Sequence, residues 1–504
     1  MSTLKNNLSL LMLLIAVGVI GIISMPRQEY SGDPQVVRCE TVSLIEYGTF
    51  EIPSRIAREL DNGSEIYFFK NPSNQKYYSK YGILNSLLYV PVLLVEKWHD
   101  ARLTYFSDDR VIYLNCFNII LTIASAWYLY LITYRYAVSR AVTILYVLTA
   151  LYCTFWWNYL RAQNSDIYQT LFLLGLYHHL TSSFGAADGR RNRLLAGAYL
   201  GALILVKLFF LVLVPIVLLF AAVAEWRRLH AQGKAAPLRE GVAALRPAIW
   251  VALPVFCAVG TLLLANTVQY GSPVETGWRG PQFGGNFLAG LHGFTLERRH
   301  SIFLYFPIFT FALIGYPAFF REHRMDCLLF LTIGGIVLLF CSKLGDWVGG
   351  WGYGPRYMLP YLPLLSLPFI KTMQFISRKW WKWWVAIAAG AMAGALCWSF
   401  KTQVEVNAVP FFAYYRLQIA FAPLRIPEIK SYFEDRTFGG LAKDLLAFKA
   451  GKPWRALELA RPALNDNGIQ KFTEVARENS ASNYYFWRDA SPAPGSPPNY
   501  PDRP

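Results

Sequence analysis

The chain opens on an apolar run, Leu8 to Ile23, behind Lys5, and from Val111 onward apolar blocks alternate with short basic or polar stretches. Blocks of that length predict transmembrane helices. Ile23-Ser24-Met25-Pro26 offers no small-x-small cleavage site, so the first run reads as a retained anchor, with Lys5 inside. Counting Lys and Arg at the block ends then orients the rest. Val111 to Thr133, Ala141 to Trp157, Ile167 to Leu180, Pro247 to Ala265, Ile302 to Phe320, Cys327 to Cys341, Met358 to Ile376 and Trp384 to Phe400 read as spans. Leu194 to Ala224 would form a helix of about 46 Å, too long for a hydrocarbon core of about 30 Å. Lys207 interrupts this run, and a single span would put Arg227, Arg228 and Lys234 outside, so it divides into two short spans meeting near Lys207. The pattern predicts an all-α polytopic membrane protein with about eleven spans.

Between the first two long runs lies a polar segment, residues 26 to 110, read as a first external loop. Tyr81 to Val95 within it predicts an interfacial or re-entrant helix. Asn71 to Gly82 is rich in turn residues, tyrosine and lysine, which suits a headgroup boundary. Asp33-Pro34 is a helix start: the carboxylate can cap free N–H groups and proline fits the first turn. Glu40, seven residues on, lies on roughly the same face. The two readings of Asp33 are a capped surface helix and a catalytic carboxylate. Residues 1–400 form the membrane domain, 401–490 a small external, mostly helical tail, and 491–504 a disordered Pro-rich end.

Composition agrees: of 504 residues, 54% are hydrophobic and 16% charged. The formal charge of +16 comes without zinc spacing, a basic amphipathic helix or an aromatic-basic strand pattern. It therefore points to topology and to anionic lipids or lipid phosphates, not nucleic acid. Six of the seven cysteines fall in apolar segments, which leaves no disulfide framework or metal site to read, and no cofactor is expected.

The charge-derived topology gathers the unusual polar residues on the external face. Asp33, Arg38 and Glu40 lie there with Arg161, Asp166, Lys207, Glu275 and Arg356. Basic residues at external span ends run against the usual bias, and an anionic lipid-phosphate ligand explains them, since Arg and Lys bind phosphate oxygens. Interfacial snorkelling or internal ion pairing is the alternative for each, and the better one for Arg298, Arg299 and His300. Lys207, deep in apolar sequence, reads as functional. Two external loops, Gly271 to Trp278 and Asp346 to Tyr357, interleave glycine with Trp and Tyr. They are either tight turns with interfacial aromatics or a surface for a sugar ring or lipid.

Taken together, several short motifs resemble the GT-C superfamily of membrane glycosyltransferases, which includes protein O-mannosyltransferases and aminoarabinose transferases. They are Gly32-Asp33 after the first span with Gly48-Thr49-Phe50 behind it, Tyr77 to Gly82, Asn266 to Gly277, Phe303-Leu304-Tyr305-Phe306-Pro307, and Trp347 to Tyr357 ending in Gly-Pro-Arg-Tyr. The resemblance covers residues 8 to about 400 in layout and lies with the bacterial branch. It implies a GT-C-like helical bundle in the inner (plasma) membrane, N-terminus cytoplasmic and active face periplasmic or extracellular. The implied activity is transfer of a sugar from a polyprenyl-phosphate donor to a lipid, glycan or protein acceptor, with inversion and Asp33 as base. Where the family often has an Asp-Glu pair this chain has Asp33-Pro34, so a second carboxylate would be Glu40 or Asp166. Lys207, Arg356, Arg161 and Arg38 would hold the donor phosphate, and Tyr78, Glu275, Trp347, Trp351 and Tyr357 the substrates. The competing class is a transporter or flippase of lipid-linked glycans, which predicts internal repeats and charge at mid-bilayer. The sequence shows no repeat, and its charges gather at one face.

Overall fold

A computed structural model describes residues 2–26, 32–61, 67–100, 102–106, 111–137, 139–161, 164–184, 189–232, 237–277, 283–349, 352–409, 417, 420–435 and 437–479. Helix α1 (Ser2–Ile23) buries Leu13 and Val17 but leaves Leu8, Met12, Ile15 and Val19 exposed. Apolar side chains on both faces require an apolar medium outside.

The segment that follows folds as a cap of α2 (Gly32–Tyr47), α3 (Ser54–Asp61), a hairpin of β1 (Phe68–Lys70) and β2 (Tyr77–Ser79), and α4 (Ile83–Asp100). The hairpin pairs Phe69 with Tyr78 and is the small departure from the expected all-helical chain. Its turn is set by side chains: Asn71 Oδ1 accepts from Ser73 N and Asn74 Oδ1 from Lys76 N. α4 contains the expected apolar stretch, keeps Leu87, Leu94, Val95 and Trp98 exposed, and packs its other face on α2.

The bundle continues with α5 (Val111–Tyr134), α6 (Arg140–Tyr152), α7 (Trp156–Arg161), α8 (Asp166–Ser183) and α9 (Arg190–Val206). The span expected over Ala141 to Trp157 is thus broken at Cys153–Phe155, where Phe155 N donates to Tyr305 O at 3.0 Å. Lys207 ends α9, a 3₁₀ turn (Leu208–Val212) follows, and α10 (Leu213–Ala231) resumes, so the division at Lys207 stands.

Next come α11 (Pro237–Tyr270), α12 (Phe287–Thr295), α13 (Ile302–Tyr305), α14 (Pro307–Glu322) and α15 (Arg324–Ser342). Pro360, Pro363 and Pro368 then break the expected span Met358–Ile376 into α16 (Leu362–Leu365) and α17 (Phe369–Lys379), since proline removes a donor and clashes with the preceding turn. α18 (Trp383–Ala408) is the last long helix. Four further helices, Pro427–Asp435, Phe438–Lys449, Arg455–Ala460 and Asp466–Asn479, pack around Trp454, which is 2% exposed. The Pro-rich end expected to be disordered, 491–504, lies outside the described residues.

Five described helical stretches are long and apolar enough to cross a membrane: Val111–Tyr134, Leu208–Ala231, Leu245–Tyr270, Arg324–Ser342 and Trp383–Ala408. The expected count of about eleven also included shorter runs, and three of these, Ala141 to Trp157, Ile302 to Phe320 and Met358 to Ile376, are broken.

Candidate active site

Four separated parts of the chain join in one hydrogen-bonded series, Tyr81–Asp33–Arg356–Asp166. Asp33 stands in the first turn of α2, where Pro34 needs no N–H partner. Of the two readings, the capped surface helix finds no support: among the described residues the Asp33 carboxylate makes no capping bond. Instead Oδ1 accepts from the Tyr81 hydroxyl at 2.7 Å and Oδ2 from Arg356 Nη2 at 2.9 Å. Arg356 Nε donates to Asp166 Oδ2 at 2.8 Å, so one arginine links two carboxylates that are 133 residues apart (166 − 33). Asp166 lies in the first turn of α8 with its side chain 2% exposed, whereas those of Asp33 and Arg356 are 23% and 17% exposed.

The loop carrying Arg356 is fixed before it arrives. Tyr353 N donates to Tyr159 Oη at 2.9 Å, and the same hydroxyl donates to Tyr353 O at 3.0 Å. Gly354 turns the chain with φ of +67°, and a Cβ there would lie 2.7 Å from the Tyr305 ring. Only glycine satisfies both demands.

Lys207 joins from the break after α9, with extended backbone and Nζ 4.5 Å from the centre of the Tyr357 ring. A helix end leaves carbonyls without intrahelical donors, and here the cap segment supplies one. Asn85 Nδ2 donates to Val206 O at 3.1 Å, and Gly82 lies so close that a Cβ would be 2.2 Å from Leu205 O. The break at Lys207 is therefore built by contact with the Tyr81–Asn85 segment.

Electrostatics follow from this geometry. Burial pushes the Asp33 carboxyl up, but the charge and hydrogen bond of Arg356, the Tyr81 hydrogen bond and the Lys207 charge outweigh it and hold the group below its ordinary value. Desolvation and the facing Asp33 carboxylate push the Tyr81 hydroxyl well above the usual phenol range, so it stays a donor. Beside Asp33 opens a recess of about 220 Å³, solvent-facing space included, walled by Tyr81, Tyr89 and Tyr168. Among the described residues no group of three or more His, Cys, Asp or Glu side chains is placed to hold a metal ion.

Asp33, Asp166, Lys207, Arg356 and Tyr357 thus come together, and other expected residues do not. Arg38 is buried and donates twice to Glu96, at 2.9 and 2.5 Å, and once to Thr104 O, so it serves α2–α4 packing, not a phosphate. Arg161 bonds the backbone carbonyls of Ser24 and Asn407, tying α7 to the end of α1 and to α18. Glu40 is fully buried, accepting from Ser86 and from Gln269 Nε2, and burial pushes its carboxyl up to about 8. Among the described residues no hydrogen bond joins it to Asp33, and the second carboxylate on Arg356 is that of Asp166. Glu275 Oε1 accepts from Thr276 N and Gly277 N and closes its own turn. Tyr78 packs with Phe69 and Tyr270 behind the hairpin, and Trp347 against Phe294 and His300. Trp351 lies outside the described residues. Sequence reasoning passed over Tyr81 and Asn85; the one signal was a Tyr-Gly preceding an apolar helix that carries a polar residue in its first turn.

No protein-family profile and no curated protein matches the sequence. Solved structures similar to the chain include ArnT from Cupriavidus metallidurans bound to undecaprenyl phosphate, at 13% identity and TM-score 0.45, over 94% of this chain and 76% of that one. The oligosaccharyltransferase of Archaeoglobus fulgidus in its apo form is similar at 11% identity and TM-score 0.44, over 84% of this chain and 59% of that one. AglB from Archaeoglobus fulgidus, in complex with an inhibitory peptide and a dolichol-phosphate, is similar at 11% identity and TM-score 0.47, over 78% of this chain and 55% of that one. The chain therefore spans little more than half the length of the archaeal proteins. At these identities and TM-scores the likenesses carry neither an activity nor a residue's role over to this chain.

Proposed function

We propose that the chain is an integral-membrane glycosyltransferase of the GT-C kind, moving a sugar from a polyprenyl-phosphate donor to an acceptor hydroxyl at the external face. The observation that carries this reading is the Asp33–Arg356–Asp166 chain with Lys207 beside it: a partly open carboxylate at the edge of a recess, with two cations close to it.

In this reading the acceptor oxygen attacks the anomeric carbon while Asp33 takes its proton. The carbon–oxygen bond to the phosphate breaks with its electron pair on the phosphate oxygen, and the sugar's configuration inverts. One negative charge thus leaves Asp33 as another develops on the lipid phosphate. Arg356, held by Asp33 in the resting site, loses that partner at the moment the phosphate needs a cation, and Lys207 adds a second. Donors aimed at where charge develops act most strongly in a site that excludes water. Asp166, more deeply buried, is a positioning residue that keeps the guanidinium in place. A pKa below the ordinary aspartate value makes Asp33 a weak resting base, and donor binding that draws Arg356 toward phosphate would raise it.

The test is label transfer from a polyprenyl-phosphate sugar pool in membranes holding wild type or Asp33→Asn at matched expression. Loss of transfer in the variant, with folding intact, is expected. Wild-type-like transfer by Asp33→Asn would remove Asp33 from the mechanism.

A further inference from the structure

We infer that Tyr81 is the positioning residue for the base: its hydroxyl fixes the plane of the Asp33 carboxylate and keeps it aimed once Arg356 turns to the phosphate. This rests on the transferase reading above and adds how Asp33 is held through the reaction.

A carboxylate on a single hydrogen bond can still swing, because the torsion about an aspartate's Cβ–Cγ bond is broad and two-fold. Asp33 has two anchors on different oxygens, the Tyr81 hydroxyl on Oδ1 at 2.7 Å and Arg356 Nη2 on Oδ2 at 2.9 Å. Together they set the carboxylate plane. Each oxygen keeps a further lone pair, and the side chain is 23% exposed, so an incoming hydroxyl still reaches the base. The reaction asks different things of the two anchors. Arg356 is a cation that the departing phosphate also attracts, whereas the phenol is neutral and the growing phosphate charge draws it less. Tyr81 is therefore the anchor that remains on Asp33 when the guanidinium moves.

The fold delivers that hydroxyl from a support gripped on both sides. Before it, Tyr81 N donates to Ser79 Oγ at 3.1 Å and Lys80 N to Tyr67 O at 3.3 Å. After it, Gly82 packs so close to the end of α9 that a Cβ would lie 2.4 Å from Val206 O, and Asn85 Nδ2 donates to Gly82 O and Val206 O at 2.9 and 3.1 Å. The ring itself packs against the buried cluster that includes Val36 and Cys39, which stand on the same helix as Asp33. The contacts that hold Tyr81 also hold the backbone just before Lys207, so base and cation share one support. The charged and titratable groups that bear on the Asp33–Tyr81 pair are Arg356, with Asp166 behind it, Lys207 and Tyr67.

The experiment is the pH–rate profile of label transfer by the full chain in lipid nanodiscs, for wild type, Tyr81→Phe and Tyr81→3-fluorotyrosine. The Asp33 carboxyl is titrated alongside by infrared spectroscopy, as the band missing from Asp33→Asn. Tyr81→Phe should lower kcat about tenfold and leave acceptor KM near wild type. It should also move the acid limb upward, because Asp33 loses a donor to its charged form. Fluorotyrosine is a more acidic phenol and a stronger donor of nearly the same shape, so it should move the limb downward, and it stands as the test should Tyr81→Phe fail to fold. Opposite shifts are what a packing role for the ring would not produce. An acid limb and a carboxyl band unmoved by both substitutions, or a loss confined to KM or to the unfolding midpoint, would overturn the inference. The infrared titration needs no donor, so the two readings fail separately. Transfer that depends on Asp33 with an unmoved band removes only Tyr81, and a band that moves while Asp33→Asn transfers like wild type removes the base and not the contact.

Discussion

Two arginines in this chain hold carboxylates, and they do so in opposite ways. Arg38 meets Glu96 with two parallel hydrogen bonds, both side chains are wholly buried, and a third donor goes to Thr104 O. Arg356 divides its donors between Asp33 and Asp166, at the edge of a recess, with Lys207 close by. The first pair is closed: both side chains are wholly buried, which leaves no room for a ligand. The second shares a cation between two anions and leaves one of them reachable. Charge placed in a partly open, rearrangeable network is what a site needs, and charge sealed from solvent is what a helix interface needs.

The largest expected effect breaks the closed pair. Arg38→Met removes the guanidinium that donates twice to the buried Glu96 carboxylate, and breaking a buried pair of this kind costs about 3–5 kcal/mol. The unfolding midpoint in nanodiscs should fall steeply, while transfer per folded molecule stays near wild type. Adding Glu96→Leu should recover much of the stability. If Arg38→Met instead keeps its stability and loses transfer, Arg38 belongs with the phosphate ligands after all.

The open network should answer in activity. Arg356→Lys keeps the charge but cannot fork to two carboxylates. Transfer should fall about a hundredfold, or about 2.7 kcal/mol, with a smaller change in unfolding midpoint. The acid limb of the pH–rate profile should also move upward, because Asp33 loses the partner that holds its carboxyl low. An unmoved acid limb would mean that Asp33 is not the group being titrated.

Glu40 sharpens the comparison, since it is a carboxylate in the same helix as Asp33 but with no cation. Burial raises it to about 8 from an ordinary 4.5. Between those values the folded chain holds a proton that the unfolded chain has lost. Stability should therefore be greatest below pH 4.5 as far as this group is concerned, fall as pH rises to about 8, and level off above. The slope is at most about 1.4 kcal/mol per pH unit. Glu40→Gln should flatten the dependence of the unfolding midpoint between pH 5 and 8, and an unchanged slope would assign it to another group.

Much of the open network was legible in the sequence, and the closed pair was not. Asp33 before a proline, Lys207 inside an apolar run, and Arg356 in Gly-Pro-Arg-Tyr each break a local rule, and a residue that does so usually serves something. Arg38 breaks the same rule, but its partner Glu96 sits next to Lys97, where it reads as an ordinary surface charge. Sidedness alone cannot separate a cation that waits for phosphate from one already matched by a carboxylate 58 residues away. Tyr81 was hidden among Tyr77 and Tyr78, because which tyrosine faces Asp33 depends on where the hairpin ends. Strands of three residues are too short to show alternation. The broken spans were missed for a related reason: hydropathy averages over Pro360, Pro363 and Pro368, but a helix does not.

The smallest expected effect concerns the side of the Arg356 loop that faces the C-terminal helices. The Phe438 ring lies 5.5 Å from that of Tyr353, whose hydroxyl accepts from Gln403 Nε2 at 3.3 Å. Behind Phe438, Trp454 Nε1 donates to the Tyr432 hydroxyl, Tyr432 to Asp444, and Arg299 reaches the Phe433 carbonyl. The tail therefore bears on the loop three residues before Arg356, opposite the two hydrogen bonds from Tyr159. An aromatic pair of this kind contributes about 0.5–1.5 kcal/mol, so Phe438→Ala should lower transfer only a few-fold, through kcat more than through acceptor KM. A loss on the scale of Arg356→Lys would make the tail part of the reacting site. No loss at all would mean that Tyr159 alone holds the loop, and the open network would then owe its geometry entirely to the membrane bundle.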